Sequence, residues 1–285
     1  MKIGAHLAAG WLADMGVVRE VAQALDGAGF DHLSAGGHLL SAASGRYPDA
    51  PDERYAYIYR DPFVLFTDLA ARTQQIKFRT SVLILPLYPT ALVARQSADL
   101  SIASGGRFEL GIGISWQAAE YTALGQGMAE RGRRLEEQVE LLRRFWTEPI
   151  VTFEGRYHDI DGLGLAQLPS APIPIHFGSS ATERLLDRAA RLADGWMPML
   201  PEPTEAASAV LHGRIEAAGR RTEDVVITGR VHAAPGQEEA WAKRARDVVG
   251  AGASQIVLAL GADVEPEAGI ALYHAAADVV RSAVG

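Results

Sequence analysis

Eight short apolar runs, each followed by a segment of helical periodicity, predict an α/β protein folded as a single (β/α)8 TIM barrel. Two further observations favour a closed barrel over an open doubly wound sheet. Several runs are apolar without alternation, such as Val82-Leu83-Ile84-Leu85 and Ile256-Val257-Leu258-Ala259-Leu260, as strands covered on both faces require. The length of 285 residues suits one barrel with insertions, whereas an open sheet built on the same alternation is more often shorter or split into halves. We expect one domain over residues 1–285, with insertion loops after strand 2 and helix 4.

The expected strands are residues 2–6, 32–36, 76–85, 107–115, 173–178, 195–199, 224–233 and 254–260. Between them, residues 14–28 place Val17, Val18, Val21, Ala24, Leu25 and Ala28 on one helical stripe. The next helix, 62–72, opens with Asp61-Pro62, an N-cap followed by a first-turn proline. Segments 90–103, 131–146, 181–193, 205–218, 238–250 and 266–284 complete the helices. The polar stretch 39–60 carries Tyr47, Tyr55, Tyr57 and Tyr59, and 147–172 contains a small hairpin expected over 151–158 with Glu154-Gly155 at its turn. Connections this long act as lids or binding loops when they are not surface decoration.

Composition narrows the function. A net charge of −8 disfavours nucleic acid, whose phosphates need clustered cations. With no cysteine, disulfides, thiolate nucleophiles and Cys-ligated metals are excluded. No apolar run approaches the ~18–20 residues that span a bilayer, and Met1-Lys2-Ile3-Gly4-Ala5 enters a strand without a separate apolar signal segment. A cytoplasmic protein with no membrane partner is the expectation.

The most informative stretch is 99–115, where a helix ends at Ser104-Gly105-Gly106 and a strand then carries Gly111 and Gly113 on one face. Glycine weakens a strand, so something bulky is expected to press there: a flat ring, or a tightly packed neighbouring element. His6, His38, His176 and His232 fall at or near the carboxyl ends of strands, where barrel enzymes assemble their sites. A single histidine there is more often a hydrogen-bonded packing residue than a catalyst. No His-Glu-x-x-His pair or compact His/Asp cluster suggests a metal, and no Gly-x-Ser-x-Gly elbow suggests a serine hydrolase. In Phe177-Gly178-Ser179-Ser180-Ala181-Thr182-Glu183 a strand runs into a helix. Ser180 and Glu183 have capping-box spacing, and the amides that follow Gly178 suit a phosphate.

The order of segments closely resembles the bacterial luciferase-like family of flavin- and deazaflavin-dependent oxidoreductases. The resemblance is carried by Thr80-Ser81-Val82-Leu83-Ile84-Leu85-Pro86, Ala94-Arg95-Gln96, Ser104-Gly105-Gly106-Arg107-Phe108-Glu109-Leu110-Gly111-Ile112-Gly113, Trp116 with Glu120-Tyr121, Arg131-Gly132-Arg133-Arg134-Leu135-Glu136-Glu137, Phe153-Glu154-Gly155 and Asp194-Gly195-Trp196. It spans residues 2–200. It implies a non-prolyl cis peptide at Ser81–Val82 under the middle ring of the cofactor, and phosphate binding at Gly178, Ser179 and neighbouring amides. The candidate cofactor-binding residues are His6, Ser81, Val82, Gly111, Gly113, Ser115, Gly178, Ser179, Ser180 and Trp196. The candidate catalytic residues are His38, His6 and Glu120, with Tyr55 and Tyr57 as candidate pocket residues.

Two positions depart from the family pattern. His38 matches the histidine of an Asp-His pair, but Gly37 stands at the aspartate position. The acid of the sugar-phosphate dehydrogenase branch aligns with Trp116, and Glu120 lies one helical turn further on. These departures speak against that particular dehydrogenation and leave cofactor binding intact. The expected activity is hydride transfer between coenzyme F420 and a small organic substrate. The alternative is an FMN-dependent two-component monooxygenase, and a third reading is a flavin-binding protein without turnover. An aldolase or hydrolase lacks a supporting lysine or metal constellation. The resemblance also implies a homodimer, with helices 62–72 and 90–103 as contact surfaces, and a separate flavin or F420 reductase as a partner.

Overall fold

Strands apolar on both faces are stable only when helices cover them or the sheet closes on itself, and the computed structural model of the chain does both. It describes residues 1–41, 59–199 and 203–285. The strands are β1 (Lys2–His6), β2 (His32–Ala35), β3 (Lys77–Thr80), β4 (Leu83–Ile84), β5 (Phe108–Gly113), β6 (Val151–Glu154), β7 (Asp159–Leu163), β8 (Ile175–Ser179), β9 (Gly195–Pro198), β10 (Val226–His232) and β11 (Gln255–Ala259). All but β6 and β7 form one parallel sheet in the order β3-β2-β1-β11-β10-β9-β8-β5-β4, and pairing of β3 with β5 closes it. β3 and β4 are two halves of one barrel strand, interrupted at the cis peptide Ser81–Val82. Past the break, Leu83 lies opposite Ile112 and Ile84 opposite Gly113.

The surrounding helices are α1 (Met15–Gly27), α2 (Pro62–Ala70), α3 (Thr90–Ala103), α4 (Ala118–Ala123), α5 (Arg131–Thr147), α6 (Glu183–Leu192), α7 (Glu205–Ala217), α8 (Glu238–Gly250) and α9 (Pro266–Val284). Local chemistry fixes their starts. Asp14 accepts from the amide of Gly16 at 2.7 Å, Asp61 from Val64 at 2.9 Å and Thr204 from Ala207 at 3.2 Å. Between α3 and β5 the chain turns through Gly105 and Gly106, both at positive φ, a conformation that a side chain disfavours. No helix among the described residues is long and apolar enough to cross a membrane.

The structure corrects the expected boundaries in three places. α4 is a single short helix after β5, too brief to leave a readable period in the sequence. The hairpin turns at Gly155, whose amide donates to His158 at 2.8 Å, so its return strand is β7 at 159–163 and not within 151–158. The third concerns α6, whose N-cap is Thr182 with no side-chain cap, so Ser180 and Glu183 form no capping box. The reason is register: Ser179 still pairs with Pro198 of β9, which holds the chain extended where the capping box would need a turn.

The lower barrel interior is polar and closed. Arg79 and Glu109 lie directly opposite each other where β3 meets β5. Arg79 Nε donates to Glu109 at 2.8 Å, its Nη2 makes a second bond to the same oxygen, and Lys77 adds an ammonium at 3.2 Å. His176 Nε2 stands 3.4 Å from this carboxylate. Burial alone would raise the pKa of Glu109, but the His176 hydrogen bond and the Arg79 charge hold it well below the usual carboxylate range. Burial followed by the Arg79 charge lowers the pKa of His32 and His176. At the other end of the barrel, burial and then the fields of Arg230 and His232 push His6 down to about 3.

Replacing Glu109 by Gln leaves the Arg79 guanidinium buried without its counter-charge. We expect a loss of about 3–5 kcal/mol in denaturant melts, with much of it recovered when Arg79→Met is added. An E109Q loss below about 1 kcal/mol would contradict this account. The three depressed imidazoles, together with His232, whose pKa burial and then the Arg230 charge also lower, set an acid dependence. Each is neutral in the fold and takes up a proton on unfolding below pH ~6.5, so their contribution is complete above that pH and is lost as the pH falls towards the folded values. The unfolding free energy should therefore decline between pH 6.5 and 4, by up to about 1.4 kcal/mol per pH unit for each of the three and by less for the more exposed His232. A flat profile would show that these rings are protonated within the fold.

Candidate functional site

The carboxyl ends of the barrel strands bring together residues that lie far apart in the chain. After β2, the backbone at Gly36 passes so near the crossing of β3 and β4 that a Cβ there would lie 3.1 Å from the Ser81 carbonyl oxygen. Two residues on, His38 Nδ1 stands 2.7 Å from Glu120 Oε2. Glu120 is 1% exposed, and its other oxygen accepts from the amides of Leu39 at 2.8 Å and Leu40 at 3.1 Å. α4 carries this carboxylate to the imidazole, and α4 is itself tied down by Tyr121, whose hydroxyl donates to Ile114 at 2.7 Å. The carboxylate fixes the proton on Nδ1 and leaves Nε2 as the nitrogen for proton exchange. The rings of Tyr59 and Trp116 flank His38 with centroids at 5.2 and 6.1 Å.

His6, at the end of β1, contacts Ser34 Oγ at 3.0 Å, while Ser34 Oγ lies 3.3 Å from the Ala5 carbonyl. The serine proton goes to that carbonyl, so His6 donates from Nδ1 and its Nε2 stays unprotonated. The backbone oxygen of His6 accepts from Tyr273.

The glycines around the strand crossing are explained by packing against the chain itself. A Cβ on Gly111 would lie 1.8 Å from the Thr80 carbonyl oxygen. On Gly113 it would meet Val82 Cγ2 at 2.7 Å, and on Gly178 it would meet Val82 Cγ1 at 2.5 Å. Of the two occupants considered from sequence, the neighbouring strand fills this space, so Gly111 and Gly113 shape the floor of the site and do not face a ring directly. Ser81 and Val82 remain partly accessible. Ser81 lines a cavity of about 20 Å³ that also touches Ser34, Met197, Pro198 and Arg230.

At the other end of the site, Trp196 is fully buried and donates its indole N–H to Ser179 Oγ at 3.1 Å. It supports Ser179 from behind. Ser115 adopts φ 53° and its hydroxyl accepts from the Gln117 amide at 3.1 Å. Beyond Gly178 and Ser180, α6 begins without a side-chain cap, and Glu183 is turned outwards, 3.5 Å from Arg214. A carboxylate near a helix start would compete with an anion for its amides, and here Glu183 is held away from them. Beside this turn lies a cavity of about 240 Å³ lined by Arg131, Thr182, Arg184 and Arg188. Arg131 Nε is buried there without a hydrogen-bond partner, whereas Arg188 is neutralised by Glu136 at 2.7 Å. Neither arginine was singled out from the sequence. Arg184, in the first turn after the glycine-serine run, carried the available signal. Tyr47, Tyr55 and Tyr57 lie outside the described residues.

Comparison with known proteins places this geometry. An uncharacterised protein of Mycobacterium tuberculosis is 35% identical over 191 residues, covering 65% of this chain and 66% of its own length. An F420-dependent glucose-6-phosphate dehydrogenase of Nakamurella multipartita is 34% identical over 167 residues, or 55% of this chain and 48% of that enzyme. These alignments thus span between about half and just under two thirds of each relative. The crystal structure of monooxygenase RslO1 from Streptomyces bottropensis superposes with a TM-score of 0.77 over 100% of both chains at 20% identity, which is likeness of fold. The profile of the luciferase-like monooxygenases matches residues 3–281, and the chain belongs to that family.

Proposed function

We propose that this protein is an oxidoreductase that moves a hydride between coenzyme F420 and a small organic substrate. The observation that carries the proposal is the His38–Glu120 pair, standing beside the Ser81–Val82 crossing at the same end of the barrel as the uncapped start of α6. The residues present fit a phosphorylated ring compound. The orphaned Arg131 Nε and the amides at the start of α6 suit its phosphate, and Ser81 and Val82 offer an accessible ledge for its ring. When bound, a deazaflavin supplies hydride donation or acceptance and reacts poorly with oxygen.

The remaining work falls to the chain. His38 holds or moves the proton at the substrate oxygen through Nε2, because Nδ1 is committed to Glu120. Glu120 stabilises the imidazolium formed on that step, and its bonds to Leu39 and Leu40 keep the ring from swinging out. Tyr59 and Trp116 crowd the ring and shield it from water. The relative named as an F420-dependent dehydrogenase supports the choice of cofactor. Gly37 and Trp116, at two positions where that branch of the family has acids, point to a different substrate. A homodimer belongs to the same proposal, supported by Val64 and Leu92, exposed apolar residues on α2 and α3.

Fluorescence titrations with F420 and FMN at matched ionic strength test the cofactor. We expect at least tenfold tighter binding of F420, about 1.4 kcal/mol. A tenfold preference for FMN would overturn the proposal in favour of a two-component monooxygenase. For the proton relay, Glu120→Gln should lower turnover on a panel of small alcohols and hydroxy acids by about 10–100-fold, and His38→Asn by about 10²–10⁴-fold. Both variants should keep the cofactor dissociation constant within about twofold. Equal losses in cofactor affinity would instead make the pair a structural clasp.

A further inference from the structure

One charge inside the barrel is left unanswered by the fold. Arg79 faces Glu109, Arg188 faces Glu136, Arg143 reaches Asp194, and Arg107 is absorbed by backbone carbonyls. Arg230, on β10, also projects into the barrel, yet among the described residues its guanidinium makes no hydrogen bond and no ion pair. Burial alone lowers its pKa, with no acid opposing the effect. The groups around it are basic. His6 on β1 and His232 on β10 lie within its field, and Arg244 of α8 lies within that of His232 and donates to the Arg230 carbonyl at 3.2 Å. The register places Arg230 opposite Val257 of β11, one layer below His232, Ala259 and His6. β9 beside it contributes Gly195–Pro198 and no acid.

A largely buried, unpaired guanidinium among basic neighbours costs the fold stability, because its desolvation is not repaid by a counter-charge. Such groups mark sites where a ligand supplies the missing charge. The adjoining cavity, shared with Ser34, Ser81, Met197 and Pro198 and floored by His32 and the Glu109-paired Arg79, measures about 20 Å³. That is room for one or two oxygen-sized atoms. A ring does not fit there, whereas the end of an acid group does. Ser81 belongs both to this cavity and to the crossing proposed above as the ring's ledge, so the acid group would sit next to the reacting centre.

We infer that Arg230, in the cavity it shares with Ser34 and Ser81, receives a carboxylate carried by the substrate, which makes the substrate a small organic acid. This names the substrate class of the site proposed above and rests on that reading for the reaction, while the binding of the carboxylate stands by itself. The planar fork of Arg230 matches two carboxylate oxygens. Specificity follows, because an uncharged analogue would leave the guanidinium buried and unpaired.

The test uses the full chain without cofactor. Histidine-ring NMR signals are followed during titration with acetate and with acetamide, at ionic strength held constant with chloride. Acetate should shift the His6 and His232 signals saturably, with half-saturation at about 1–10 mM, and acetamide should not. Arg230→Met should weaken the acetate response at least tenfold, and Arg230→Lys should retain part of it. A missing acetate response, or one unchanged in Arg230→Met, would overturn the inference. Because Arg230 has no partner to lose, Arg230→Met should melt at or above the wild-type temperature, whereas a fall of about 2–4 °C or more would assign Arg230 to the fold and overturn it too. A second arm measures oxidised and reduced FMN and F420 on wild type and Arg230→Met. A tenfold loss confined to the reduced cofactors, with no acetate effect, would assign the charge to the ring and overturn the substrate carboxylate. Failure of F420 to bind would leave the acetate result standing, so the two proposals fail separately.

Discussion

The site depends on one close approach of chain to chain. Where the third barrel strand breaks, Thr80 turns its carbonyl towards Gly111, and Val82 inserts its two methyl groups against Gly113 and Gly178. No side chain fits at any of the three glycines without displacing backbone or a β-branched neighbour. Because β5 and β8 yield this space, Ser81 comes to the mouth of the barrel and β4 resumes pairing with β5. The loop after β2 then rests on the Ser81 carbonyl at Gly36, and that contact delivers His38 to its position.

How much of this was legible in the sequence follows from the range of the interactions involved. The eight strand–helix pairs were legible because hydrophobic period and caps such as Asp61-Pro62 are local. The glycines of β5 were legible as anomalies, but their cause was not, since the atoms that fill the space belong to Thr80 and Val82 on another strand. His38 and Glu120 were each nominated from sequence, yet their contact depends on α4, a helix of six residues with no readable period. The capping box at Ser180 failed because a local pattern was overruled by a tertiary one, the pairing of Ser179 with Pro198.

The two ends of the barrel solve the problem of buried charge in opposite ways. Below, Arg79, Lys77, Glu109 and His176 form a closed set in which each partner offsets the desolvation of another. Such a cluster holds β3 against β5, with the Arg79 charge already matched by Glu109. Above, His6 spends one nitrogen on Ser34, His38 spends one on Glu120, and Arg230 spends none. Unspent capacity next to solvent-accessible space distinguishes a binding surface from a structural core.

The replacement of a neighbouring acid by a distant one has a consequence for how the upper end works. With Gly37 in place of an acid, no side chain adjacent in sequence can orient the imidazole, and the carboxylate must come from α4. Glu120 does more than an adjacent residue would, since its second oxygen also binds the amides of Leu39 and Leu40. One buried carboxylate therefore fixes both the ring of His38 and the backbone that bears it. The orientation of the His38 imidazole is thereby coupled to the backbone at Leu39 and Leu40. If that backbone shifts, the amides and the imidazole leave the carboxylate together, and Glu120, 1% exposed, is left buried with its charge uncompensated. That penalty makes the assembled arrangement the favoured one before any substrate arrives.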